Sequence, residues 1–435
     1  MSYRSKLNLL LRAFKYRNYR LFFAGQCVSL IGTWMQTVAL SWLIYRLTGS
    51  PLLLGITGFA AQIPSLLLAP FTGPAADRFE RRRILLVTQT LAMVQALTLA
   101  ALVLLGDPQP WQIIALASLL GCINAFDMPA RQSFIVQLVE KREDLANAIA
   151  LNSSMFNSAR LIGPSIAGVF IAVFGEGACF LFNGLSYAGV IAALLAIDLK
   201  QKAPAAAGTA TGGFKEGLKY AFGFPPIRYL ILMLGVGSLL GMPYAVLMPA
   251  YVRDILGGGP QTLGFIMAAS GVGALAGALR LALRRHPAGL ERDIPLYAAI
   301  FGLGLLGFSF SSVFVLSAPL LALGSFGMVS FFASTNTVIQ TLVDDDKRGR
   351  VMALHSVSFM GMAPFGSLLA GFAATHIGVA RTMTLSGLCV LGAAAALSYK
   401  RGEISAHAAP VYGKLGLGAI AASELEDAEQ PGRPV

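Results

Sequence analysis

Residues 73–83 read GPAADRFERRR and hold the densest set of chemically capable side chains in this chain. Gly73 closes an apolar run and lets two helices approach closely. Asp77 can accept hydrogen bonds from a facing helix N-terminus, where the positive dipole end favours an anion. Arg78, Arg81, Arg82 and Arg83 can pair with acids or with lipid phosphates. Such a cluster can latch one conformation and release in another. A basic loop that only fixes topology would account for the arginines. It would not account for the Gly-x-x-x-Asp-Arg spacing.

A second signal is ALNSSMFNSARLIGPSIAG at 150–168. Ala150, Ala159, Gly163, Ala167 and Gly168 are small, and Pro164 sits among them. That makes a helix with a smooth face and a proline bend, able to pack tightly and swivel. An ordinary Gly/Ala helix contact would read the same way. Arg160 lies in the same run. An arginine in a membrane span is expensive unless paired, so it reads either as functional or as a structural ion pair or a snorkelling side chain. Asp127 is one available partner. The simpler pairing is Asp127 with Arg131, four residues on along one helix face.

Mid-span acids are missing: Asp77, Asp127, Glu140, Asp198 and Asp254 all fall at or near the ends of apolar runs. Asp127 and His355 are the remaining candidates for a proton-titrating group. Cys27, Cys122, Cys179 and Cys389 show no CxxC or His spacing, so no disulfide framework or metal site is implied. There is no GxxxxGK[ST] phosphate loop and no Ser/His/Asp constellation. The expectation is a non-enzyme without cofactor or metal.

The elements that carry these residues are long and apolar. The 435 residues are 56% hydrophobic and 12% charged, against roughly 25% charged in soluble proteins. Runs long enough to cross the bilayer core lie near 21–45, 52–76, 84–105, 111–129, 147–174, 178–198, 229–252, 261–283, 294–313, 315–339, 351–375 and 380–399. The first is too long for a cleavable signal peptide, and no A-x-A site follows it. With the N-terminus inside, 29 of the 33 Lys and Arg fall in inside segments. Arg46, Arg253 and Arg381 fall outside, and Arg160 within a span. This asymmetry predicts both termini in the cytoplasm, an even number of spans and an inner-membrane location. It also assigns the net charge of +12 to topology and anionic lipids rather than to nucleic acid.

The organisation predicted is a basic arm (1–20), a six-helix bundle (21–198), a linker with a short amphipathic helix at FKEGLKYAF (199–228), a second bundle (229–399) and a disordered cytoplasmic tail (400–435). The halves align. Pro51, Leu54, Gly55 and Ala60 match Pro260, Leu263, Gly264 and Ala269. Gln137, Ala150, Leu151, Ser153, Gly163, Ala167 and Gly168 match residues 203 positions later. The fold class is therefore an all-α membrane protein of twelve helices in two pseudo-symmetric bundles. Such repeats place a substrate site between halves that rock.

Here the chain resembles the major facilitator superfamily. Gly73, Asp77, Arg78 and Arg81 match its 2–3 loop motif, with Glu80 in place of the second glycine. That acid, GTWMQTVALSWLIYRLTGSP (32–51) and FDMPARQSF (126–134) resemble the drug:proton antiporter branch that holds macrolide efflux pumps and the enterobactin exporter. The 150–168 run resembles the antiporter motif of the superfamily, with Ala at three glycine positions. His286 stands where Asp77 would align in the second half. The resemblance implies a cavity lined by the first, fourth, seventh and tenth helices. Those offer Gln26, Trp34, Gln36 and Thr37; Asn124 and Phe126; Met242, Tyr244 and Met248; and Phe331, Phe332 and Asn336.

A mostly apolar, aromatic and Met-rich wall with a few amides suits bulky amphipathic molecules. The function expected is a monomeric secondary exporter of a hydrophobic or amphipathic small molecule, drug-like or a siderophore, with the proton as coupling ion. A proton-coupled importer or lipid facilitator of the same fold is the alternative. A receptor or scaffold would need a folded soluble appendage, and only a short linker and tail are present.

Overall fold

A segment in lipid must bond every backbone N–H and C=O within itself, so apolar runs of this length fold as helices. The computed structural model describes residues 11–198, 214–284 and 286–416, including their side chains except those of 70, 73–77, 214 and 215. Every regular element among the described residues is helical.

A 3-10 turn at Arg12–Lys15 leads into α1 (Arg17–Thr48), which Gly49 closes at φ 58°. Then come α2 (Pro51–Arg78), α3 (Arg81–Leu105) and α4 (Pro110–Ile135). α5 runs Arg142–Ala196, 55 residues. A straight helix of that length would be about 80 Å, far more than a bilayer. It is two arms instead, because Gly175 at φ 78° and ψ 173° is not helical. Only glycine adopts that conformation cheaply.

α6 (Phe214–Gly223) covers the FKEGLKYAF segment. α7 (Pro225–Val236), a π-helical turn at Gly237–Gly241 and α8 (Tyr244–Asp254) form one run. α9 (Pro260–Ala282), α10 (Leu290–Ser309) and α11 (Phe314–Leu342) follow. α12 (Arg348–Ser356), a second π-helical turn at Val357–Gly361 and α13 (Met362–Ile377) form another run. α14 (Val379–Tyr399) and α15 (Arg401–Lys414) complete the described chain.

Among the described residues, ten helical runs are long and apolar enough to cross a membrane, with α5 counted once. α10 is not among the ten; it opens on Glu291, Arg292 and Asp293. The expected twelve spans therefore require reading α5 as two and adding α10.

The chain divides into two compact units, one of residues 1–209 with 248–268, the other of 210–247 with 269–435. In the first unit α1 and α3 pack along α5, and α2 along α4. Its core at one end joins Tyr19, Phe22, Leu85, Phe134 and Leu194. In the second unit α10 packs against α11 and α14. Its core joins Leu230, Tyr297, Val338, Ile404 and Tyr412. α15 thus differs from the disordered tail expected beyond residue 400. Ile404, Ala408 and Tyr412 recur at helical spacing, and burying them repays the ordering.

The matched residues of the two halves occupy matched places. Pro51 and Pro260 each open a helix, where a missing N–H costs nothing. A methyl built on Gly163 would lie 3.3 Å from Ile31 O of α1, and one on Gly366 would lie 2.2 Å from Leu239 O. The same close approach recurs once within each unit.

Candidate functional site

In the first unit the sequence candidates Asp127 and Gln26 meet in one buried network. Asp127, on α4, is 2% exposed. Its Oδ1 accepts from Thr88 Oγ1 at 2.8 Å and from Gln89 Nε2 at 2.7 Å, both on α3. Its Oδ2 accepts from Arg131 Nε at 2.9 Å and from a second guanidinium nitrogen. Arg131 also donates to Gln26 Oε1 of α1 at 2.6 Å. Three helices are thereby tied around one ion pair. Gln26 Nε2 and Gln89 Oε1 have no hydrogen-bond partner among the described residues. Buried unmade hydrogen bonds are costly, so these two amide atoms are sites that a water or another polar group would satisfy.

The simpler pairing read from the sequence, Asp127 with Arg131, is the one present. Arg160 takes a different partner: its guanidinium carbon lies 5.8 Å from the Trp34 ring centre, a cation–π contact. Trp34 in turn meets Phe156 edge-on at 5.9 Å.

Gln36 belongs to a second polar chain. It donates to Gln95 Oε1 at 3.0 Å and accepts from Asn183 Nδ2 at 2.8 Å. Asn124 is exposed and Phe126 half-buried.

Around 150–168, Ala159, Gly163, Pro164, Ala167 and Gly168 are all buried. A methyl on Gly163 would lie 2.5 Å from Trp34 Cβ. One on Gly168 would lie 2.7 Å from Pro260 O and 2.8 Å from Gly264 Cα. The small face is thus filled by α1 on one side and α9 on the other.

Gly73 and Asp77 fall in the last turns of α2, and their side chains lie outside the described residues. Arg82 donates to Leu194 O at 2.7 Å and Leu195 O at 2.9 Å, satisfying carbonyls at the end of α5. Arg83 pairs with Glu80 at 2.9 Å, so the acid that departs from the loop motif has a partner there. Arg78 packs over Phe79, and Arg81 is half-buried.

In the second unit Tyr244 is hydrogen-bonded to Ser270 at 3.2 Å, and Phe331 is fully buried. Met248, grouped with the first unit, is also fully buried. His355 is 9% exposed, and its Nε2 has no partner among the described residues. Asn336 lines a cavity of about 470 Å³.

A family profile described as transmembrane secretion effector matches residues 11–410. The chain belongs to this family. It is a transporter of the major facilitator superfamily, moving small molecules across a membrane. It is 27% identical to the staphyloferrin A transporter of Staphylococcus aureus, over 85% of this chain and 93% of that protein. It is 26% identical to the multidrug efflux pump Tap of Mycolicibacterium fortuitum, over 83% and 90%. A solved bacterial homologue of the human lysosomal transporter Spinster, inward-facing and unoccupied, shares the fold. That comparison has a TM-score of 0.67 and 14% identity, covering 90% of this chain and 97% of the other.

Three buried acids of this transporter escaped the sequence reading. Glu176 takes Arg46 Nε at 2.7 Å, and Glu291 accepts from Tyr412 at 2.9 Å. Asp144 accepts from Tyr16 at 2.7 Å and pairs with Lys15 at 2.5 Å. Its hydrogen bond to the Asp144 carboxylate raises the Lys15 ammonium above its ordinary range. The available signal was position. Asp144 and Glu291 stand in the first turns of α5 and α10, where the helix dipole favours an acid.

Proposed function

We propose that this transporter is a proton-driven exporter of hydrophobic or amphipathic small molecules. It would cross the cytoplasmic membrane twelve times, in two six-helix halves with both termini inside. The observation that carries the reading is the Asp127–Arg131–Gln26 network. Alternating access needs a coupling ion that binds the two conformations with different free energies. Protonating Asp127 removes the charge that holds Arg131. Arg131 would then depend on Gln26 alone, and α1, α3 and α4 lose a shared tie. The unmade bonds of Gln26 and Gln89 supply groups for the rearranged state.

The small face of α5 supports the same reading. It meets the Trp34 side chain of α1 and, backbone to backbone, Gly264 of α9, and a face without large side chains of its own can slide or part with little steric resistance. The names of two relatives, the staphyloferrin A transporter and the multidrug efflux pump Tap, agree with a small-molecule cargo.

The test is ethidium efflux from loaded proteoliposomes with an imposed pH gradient, acid outside. Efflux should accelerate with the gradient and fall to the leak rate when a protonophore collapses it. Gradient-independent efflux at the full rate would leave a facilitator and remove antiport.

A further inference from the structure

One face of α11 changes chemistry along its length. Phe326, Val329 and Ala333 are half-buried on it, followed by Asn336, Thr337, Gln340 and Thr341. Steps of three and four residues keep these on one side of the helix. The four polar residues, with Arg348 and Leu415, line an open hollow of about 470 Å³. All of them belong to the second unit. That volume lies within the range of roughly 300–1,000 Å³ common for small-molecule sites.

The hydrogen bonds already made decide what it can take. Thr337 donates to Ala333 O at 3.0 Å and Thr341 to Thr337 O at 2.8 Å, so both hydroxyl hydrogens are used within the helix. Gln340 Nε2 donates to Asn336 Oδ1 at 3.1 Å, which occupies an acceptor of Asn336 and leaves its amide hydrogens for a ligand. Arg348 gives one nitrogen to Asp345 at 2.5 Å, but the Asp345 side chain is 88% exposed. Exposed pairs of that kind hold weakly and exchange readily. A guanidinium has five N–H groups in a fork that matches a carboxylate. The Asn336 amide hydrogens and an exchangeable cation are thus the donors on offer, while the Thr337, Thr341 and Gln340 oxygens remain as acceptors for hydroxyl groups.

We propose that this cavity is a head-group subsite for amphipathic carboxylates. Arg348 takes the carboxylate, Asn336 and Gln340 take neighbouring hydroxyl or carbonyl oxygens, and the apolar body lies along Ala333, Val329 and Phe326. This rests on the reading of the chain as a carrier of amphipathic molecules, and it adds acids to that class.

The test uses cholate and its uncharged methyl ester as probes, with the full chain in nanodiscs and binding read by titration calorimetry. Loss of one charge-assisted contact predicts that the ester binds about tenfold more weakly than cholate. Arg348→Gln should bring cholate down to the level of the ester and leave ester binding unchanged. Arg348→Lys, which keeps the charge but not the fork, should fall between. The proposal is overturned if the wild-type chain binds neither probe or binds both alike. It is also overturned if Arg348→Gln weakens both probes equally, which would make Arg348 structural. Cholate selectivity without gradient-driven ethidium efflux would remove the antiport reading and leave the subsite. Efflux without selectivity would do the reverse.

Discussion

Arg131 reaches back one turn of α4 to the Asp127 carboxylate, with Nε 2.9 Å from Oδ2, while another nitrogen donates to Gln26 Oε1 of α1 at 2.6 Å. The pair is uneven in exposure: the Asp127 side chain is 3% exposed and the Arg131 side chain 22%. The acid is therefore the member held from water, and the arginine is the member able to leave.

Asp127→Asn keeps an acceptor for Thr88 and Gln89 but presents no charge to Arg131. Breaking a buried ion pair from one side costs about 3–5 kcal/mol, and the partial exposure of Arg131 puts this case near the lower end. The thermal midpoint should fall, while the purified protein stays monodisperse. Gradient-driven efflux should drop to the leak rate. Adding Arg131→Gln should restore stability, because no unpaired charge remains, without restoring transport. Wild-type efflux by the single variant would remove Asp127 from the coupling step.

The glycines of α5 predict a graded steric series. At Gly163 an added methyl meets Trp34 Cβ at 2.5 Å, and at Gly168 it meets the backbone of Pro260 and Gly264 at 2.7 and 2.8 Å. A side-chain carbon next to its own backbone gives little, and a backbone carbonyl gives less. Overpacking of this kind costs about 1–3 kcal/mol. Gly163→Ala and Gly168→Ala should both lower the thermal midpoint, with Gly168→Ala slowing efflux more, because its contact is with the backbone of α9, which yields less than a side chain. Unchanged efflux by Gly168→Ala at normal expression would make the contact a passive one.

The loop after α2 gives a separate prediction. Asp77→Asn should leave insertion and yield intact, since the apolar spans are untouched, and reduce efflux to the leak rate if the carboxylate latches one conformation. Arg82 serves as the comparison. It holds Leu194 and Leu195 carbonyls, so Arg82→Gln should reduce stability first and transport only in proportion. Equal efflux in Asp77→Asn and the unaltered chain would reduce the loop to a topological signal.

Periodicity and length carried the helices into view, and two fixed registers, one at Pro51 and Pro260 and one from Gln137 onward, carried the likeness between the halves. Pro51 and Pro260 both open helices because proline lacks only an N–H that a first turn does not use. The i, i+4 pairing of Asp127 with Arg131 was legible for the same reason: it lies on one element. What stayed hidden depends on contacts between elements far apart in the chain. Gln26 is 105 residues from Arg131, and Thr88 is 39 from Asp127. No local spacing encodes either contact. Arg160 was legible as an anomaly, yet its partner is an aromatic face rather than an acid, which a search for opposite charges overlooks. The tail was misjudged at 401–414 because its apolar residues are few. Three of them at helical spacing suffice when the same unit offers a buried acid as well.

That acid is Glu291, 3% exposed in the first turn of α10, and the Tyr412 hydroxyl donates to its Oε2 at 2.9 Å. Burial, reinforced by the Glu291 charge, pushes the Tyr412 hydroxyl upward, so it remains protonated and a donor through neutral and alkaline pH. Tyr412→Phe removes the donor and leaves a buried carboxylate one bond short, at a cost of about 1–3 kcal/mol. Tyr412→Ala adds the loss of a buried ring, for about 3–5 kcal/mol in total. Both should lower the thermal midpoint in that order. Deleting 401–435 should lower it at least as far as Tyr412→Ala, since Ile404 and Ala408 leave with the ring. Leu415, which follows this helix, also walls the α11 cavity, so the deletion should speed cholate binding and release. An unchanged midpoint after the deletion would mean that α15 lies on the second unit without holding it.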